Sequence, residues 1–147
     1  MITDAQLTFS DGQAITDDAA STNQVDLTTA RNLARSGAED MRFIVVVTEA
    51  FNNLTSMTAA IRQSAASNMG SPDTILQGPA VTLASGGLAV GKKLLDVPWP
   101  DADPVAAKQY LDIYYDITGT APSTGKVSAF IVLNSRGGEY RLGNTGR

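Results

Sequence analysis

Three stretches of this chain place apolar residues at every second position, a period that fits a β-strand and no helix. In "YLDIYYDIT" the residues Leu111, Ile113, Tyr115 and Ile117 fall on one side, and Tyr110, Asp112, Tyr114 and Asp116 on the other. In "KVSAFIVLN" the inward set is Val127, Ala129, Ile131 and Leu133, with Phe130 and Val132 half covered on the opposite face. "RFIVVVTEAF" differs, since Phe43, Val45 and Val47 alternate with the equally apolar Ile44 and Val46. A strand apolar on both sides belongs in the middle of a sheet that is covered on both faces.

Weaker strand patterns cover Gln6–Phe9, Gln24–Leu27, Thr55–Ser64, Ala80–Ala84 and Lys92–Val97. Turn clusters separate them, the densest being "TGTAPSTG" from Thr118 to Gly125, which reads as an exposed connection. About eight short strands without alternating long helices predict an all-β fold, a jelly-roll-like β-sandwich. One or two short helical turns are expected, in "TTARNLARSGAED" and at Pro104, where Asp103 is placed to cap. "SMTAAIRQSAASNM" fits a strand through Met57, Ala59 and Ile61, and equally a helical stripe through Met57, Ile61 and Ser64. The strands make one domain over residues 1–134. Residues 135–147, "SRGGEYRLGNTGR", form a polar, glycine-rich C-terminal tail carrying Arg136, Arg141 and Arg147.

Several chemistries are closed to this composition. With 0 His and 0 Cys there is no Ser-His-Asp triad, no thiolate nucleophile and no disulfide frame. A net charge of −4 lacks the basic footprint of a nucleic-acid binder. No apolar run approaches the roughly 20 residues of a membrane helix, so no membrane association is expected. The opening residues lack a signal-peptide pattern, which predicts a protein made in a cytoplasm.

The candidate sites dissolve one by one. "GGLAVGKK" matches most of a phosphate-binding loop, with Gly86, Gly91 and Lys92 in place. The position that should carry a Mg²⁺-binding hydroxyl is Lys93, and Pro98, Pro100 and Pro104 prevent a long helix from following. The stretch therefore reads as a glycine turn between strands. Asp112 and Asp116 share a strand face but stand about 13 Å apart, too far for a proton-sharing or glycosidase pair. They are expected on a solvated face, paired with a lysine on a neighbouring strand. Asp101 and Asp103 are too few for a calcium cage. No catalytic, cofactor-binding or metal-binding residue is assigned.

Two blocks carry more than periodicity. "LTFSDGQAITDDAASTNQVDL" (Leu7–Leu27) and "YLDIYYDITGTAPSTGKVSAFIVLN" (Tyr110–Asn134) together resemble the capsid cement, or decoration, proteins of tailed bacteriophages. The matching positions include Phe9, Ser10, Asp11, Gln13, Ile15, Ser21, Thr22 and Asn23, and later Tyr110, Tyr114, Gly119, Pro122, Gly125 and Lys126. The chain departs from the family pattern in a longer Thr28–Asp40 segment and in its tail. The resemblance implies a non-enzymatic jelly roll on the outer capsid surface of the virion, clamping neighbouring major capsid subunits and self-associating as a dimer or trimer. Under that reading Leu7, Phe9, Trp99, Tyr140 and Arg141 are the expected protein-interface residues, with the N-terminal arm, the "VPWPDADP" loop and the tail as contact elements. The alternative expectation is a carbohydrate- or receptor-binding β-sandwich module of a virion, using the tyrosine-aspartate face.

Overall fold

The computed structural model describes residues 5–27, 41–98 and 108–133. In chain order the strands are β1 (Thr8–Ala14), β2 (Ala19–Ala20), β3 (Val25–Asp26), β4 (Met41–Glu49), β5 (Leu54–Ser64), β6 (Asp73–Gln77), β7 (Val81–Thr82), β8 (Lys93–Pro98), β9 (Tyr110–Gly119) and β10 (Lys126–Leu133). Four of them form sheet A in the order β1-β10-β4-β8. The rest form sheet B in the order β2-β9-β5-β6, with β3 also on β9 and β7 also on β5.

Because β2 and β3 run along the same neighbour, as do β6 and β7, the ten strands trace eight paths. All pairings are antiparallel. Each path in the first half pairs with its counterpart from the other end of the chain: β1 with β10, β2/β3 with β9, β4 with β8, β5 with β6/β7. A long hairpin rolled up in this way is a jelly roll.

The core lies between the sheets. Sheet A contributes Phe9, Phe43, Val45, Val47, Val127, Ala129 and Ile131; sheet B contributes Met57, Ala59, Ile61, Leu111, Ile113 and Tyr115. Phe9 and Phe43 stack with ring centroids 6.0 Å apart. These are members of the alternating sets read from the sequence, with Ile117 packed at the edge of the core, so the period-two reading holds for the described side chains of the three strong strands. The ambiguous segment after Leu54 is strand, hydrogen-bonded on one side to β9 and on the other to β6 and β7. That long-range pairing overrides its helical stripe.

Some boundaries differ from expectation. The first strand starts at Thr8, and Ala5–Leu7 is a 3-10 turn, the only helical element among the described residues. The turn folds Leu7 onto the core. β2 and β6 were not expected: Ala19–Ala20 has no β-branched residue, and Asp73–Gln77 is a half-exposed edge. The helical turns expected near Thr28–Asp40 and at Pro104 fall outside the described residues. The glycine turn after Ala84 is a crossover between the two sheets, since β7 belongs to sheet B and β8 to sheet A.

Candidate interaction surface

The motif residues near the N-terminus hold the two sheets together. Tyr115 reaches from sheet B across the core to Ser10 on β1, with their hydroxyls 2.8 Å apart. Ser10 donates its one hydroxyl proton to Gln13 Oε1 at 2.7 Å, so Tyr115 must be the donor to Ser10. Gln13 Oε1 also accepts from the Thr22 N–H, and Gln13 Nε2 donates to Ala20 O. A directional relay thus runs from Tyr115 through Ser10 and Gln13 to the backbone beside β2. Burial pushes the Tyr115 phenol well above the ordinary tyrosine range; the Ser10 hydrogen bond offsets part of this, and the nearby Asp112 charge adds to it. Ser21 completes the seam, donating to Asn23 O and accepting from the Ile113 N–H. The side chains of Ser10, Gln13, Ser21 and Thr22 and the backbone of Asn23 are engaged in building the fold.

The glycine-rich loop before β10 is equally committed. Asn52 Oδ1 accepts from the Ser123 and Thr124 N–H groups, while its amide donates to Ser123 Oγ. Gly125 adopts φ +133°, and a Cβ there would lie 2.1 Å from the Phe51 ring. Only glycine fits. The phosphate-loop lookalike spends its amides internally too: Gly86, Ala89 and Lys92 donate to Leu83, Gly86 and Ala89 carbonyls, and Gly91 donates to Val47 O. A strand follows it, and Lys93 Nζ binds Asp96 Oδ2 at 2.6 Å. The loop has no free N–H cradle at those positions.

The tyrosine-aspartate face is not the solvated surface expected. Asp112 is fully buried on the outer side of sheet B, held by Arg62 in a bidentate pair at 2.9 and 2.5 Å. Its partner is an arginine on the adjacent strand β5, not a lysine, and the Arg62 guanidinium lies 4.2 Å from the centre of the Tyr114 ring. Planar stacking on an aromatic suits guanidinium and explains the choice. Asp116, by contrast, is exposed. Among the described residues no group of three or more His, Cys, Asp or Glu is arranged to hold a metal ion.

The five expected contact residues divide sharply. Phe9 has 0% exposure and belongs to the protomer's own core, a correction to its reading as a protein-interface residue. Its position on the first strand hid that the strand is stitched to β10 over its whole length. Leu7 is half-buried against the core. Trp99, Tyr140 and Arg141 lie outside the described residues. The ends of the elements that lead to them nevertheless gather at one end of the sandwich. Met41 pairs with Leu133, Arg42 with Pro98, and Asp26 with Tyr110, so β3, β4, β8, β9 and β10 all meet the undescribed segments there. The opposite end carries the tight turns between β1 and β2, β4 and β5, and β9 and β10.

Sequence reasoning passed over the outer face of sheet A as a surface. Cross-strand partners on that side form rows: Thr8, Phe130, Ile44, Asp96 in one, and Ser128, Val46, Lys93 in the next. Val132 is 6% exposed but stands apart from the inter-sheet core, opposite Arg42. Four apolar side chains therefore sit side by side on a face that ordinarily alternates to polar residues. Its β8 rim is charged, with Arg42 Nε 2.6 Å and Lys93 Nζ 2.6 Å from the Asp96 carboxylate. Burial alone would raise the Asp96 carboxyl, but the hydrogen bonds and charges of Lys93 and Arg42 outweigh it and hold it below the usual aspartate range.

These features define a β-sandwich protein of the jelly-roll type, with Ser10 and Ser21 buried in the seam between its sheets and half-buried apolar side chains on the outer face of sheet A. The Bbp16 family model matches residues 9–131. The chain belongs to the Bbp16 family. No curated protein matches it.

Proposed function

We propose that this protein is a non-enzymatic phage head cement protein. It binds the outer surface of the assembled capsid, self-associates, and clamps neighbouring major capsid subunits. Two sequence blocks resembling cement proteins support the reading, and the name of the family suggests a phage-related protein. The observation that carries it is the convergence of five strand ends at one end of a rigid sandwich. The segments that the sequence marks as contact elements are tethered there, while the opposite end closes on itself. Loops displayed from one end of a β scaffold are a common way to build a binding surface. A bridging copy then works by geometry. Each contact is modest, and repetition on a lattice multiplies it.

Mixing the purified protein with expanded and with unexpanded shells, followed by sedimentation, tests this. Co-sedimentation with expanded shells is the expected result. Absence from both pellets would overturn the reading. A glycan array is expected to stay blank, because the Asp112 carboxylate that would have met a sugar is already paired with Arg62.

A further inference from the structure

We infer that the loop between β7 and β8, Leu83–Lys92, is a second shell-contact site, with Val90 as its apolar anchor and Lys92 as its charged flank. The inference deepens the function proposed above and rests on that reading. Val90 is 63% exposed, and among the described residues no other large apolar side chain stands out in solvent. One such residue on an ordinary surface calls for no partner. Its setting is not ordinary, in rigidity, charge and place.

The loop takes ten residues to cross from one sheet to the other, where connections usually take about 4–6. It is tied down along its length. Leu88 is fully buried in the core, and its carbonyl accepts from the Phe51 N–H. Gly91 turns with φ +82° and donates to Val47 O, while Lys92 O accepts from the Val47 N–H, each at 2.8 Å. At the start of the loop Ser85 Oγ donates to Thr82 O at 2.8 Å. Val90 stands between the Leu88 plug and the Gly91 turn, with Ala89, Gly91 and Lys92 exposed around it. A side chain carried by an ordered backbone loses little entropy when a partner covers it.

Charge and place identify the partner. Among the described residues Lys92 enters no ion pair, whereas Lys93 is bound to Asp96. Val90 and Lys92 together fit an apolar recess with a carboxylate at its rim. Tip-to-tip contact with a second copy would set Lys92 against Lys92, so the complementary surface belongs to a different protein. The bonds to Val47 and Phe51 put the loop beside the β4–β5 turn, at the end opposite the tethered contact segments. β4 spans the distance between the two ends, eight steps from Met41 to Glu49, or about 27 Å. A clamp must hold two subunits at once. Contact segments at one end and Val90 at the other give it two grips that far apart, each on its own shell subunit.

Shell binding by loop variants tests this. Val90→Ser and Lys92→Glu change exposed side chains and leave the backbone bonds in place, so each is expected to keep the melting temperature within a few degrees of the parent. On expanded shells the dissociation constant is expected to rise about tenfold for Val90→Ser and about fivefold for Lys92→Glu. Because the chain has 0 Cys, Val90→Cys offers a single thiol for a benzophenone label. Illuminating the labelled protein on expanded shells is expected to cross-link it to the major capsid subunit. Folded variants that bind like the parent, bound protein that gives no cross-link, or cross-links only to other copies of this chain each overturn the inference and leave the cement reading standing. A parent that binds no shells removes the cement reading itself, and this site with it.

Discussion

Removing the Asp112 carboxylate should cost far more than removing an ordinary surface charge. In the Asp112→Ala variant Arg62 keeps its guanidinium in a site where the side chain is only 16% exposed, with no anion to face it. Breaking one half of a buried pair leaves an uncompensated charge, at a cost of about 3–5 kcal/mol. Arg62 retains some water access and the Tyr114 ring, which places the expected loss at the lower end, about 3 kcal/mol. For a domain of this size that corresponds to a fall in melting temperature of about 6–12 °C. Replacing both partners by apolar residues of similar shape, Arg62→Met with Asp112→Leu, removes the orphaned charge and should recover most of the loss. Scanning calorimetry of the parent, Arg62→Met, Asp112→Leu and the double variant closes the cycle, with Asp112→Ala measured beside it. A drop below about 1 kcal/mol for Asp112→Ala would refute the reasoning, because it would mean that the pair is solvated and behaves as an exposed one.

The Tyr115→Phe variant is expected to lose about 1 kcal/mol at neutral pH, the worth of one buried hydrogen bond, read as a shift in the urea midpoint with unchanged slope. The folded phenol titrates above the unfolded one, so its contribution is complete below about pH 10 and is lost as pH rises toward the folded value. The parent should therefore weaken faster than Tyr115→Phe in alkaline solution, and parallel pH profiles would contradict the buried relay. Gly125→Ala forces both a positive φ and a Cβ 2.1 Å from the Phe51 ring, and should cost about 2–4 kcal/mol in thermal unfolding. Gly12→Ala has the positive φ (+57°) without a steric neighbour within 4 Å and should cost only about 1 kcal/mol.

Period-two patterning by itself determined much of this protein. The alternation in "YLDIYYDIT", "KVSAFIVLN" and "RFIVVVTEAF" assigned three central strands and their inward faces, because burial on one side of a pleated strand selects every second residue. The absence of His and Cys by itself excludes chemistry that needs an imidazole or a thiol. Other properties depend on which strands become neighbours, and no local pattern states that. Asp112 reads as a surface acid until β5 brings Arg62 beside it. Phe9 reads as an interface residue until β1 closes onto β10 and its ring stacks on Phe43. Ile44 and Val46 read as covered, and in the fold they are half-buried on the outer side of sheet A, away from the inter-sheet core. Alternation is a property of a strand and its solvent, settled within a few residues; partnership and charge pairing are settled by residues far apart in the chain, and only the folded sandwich brings them together.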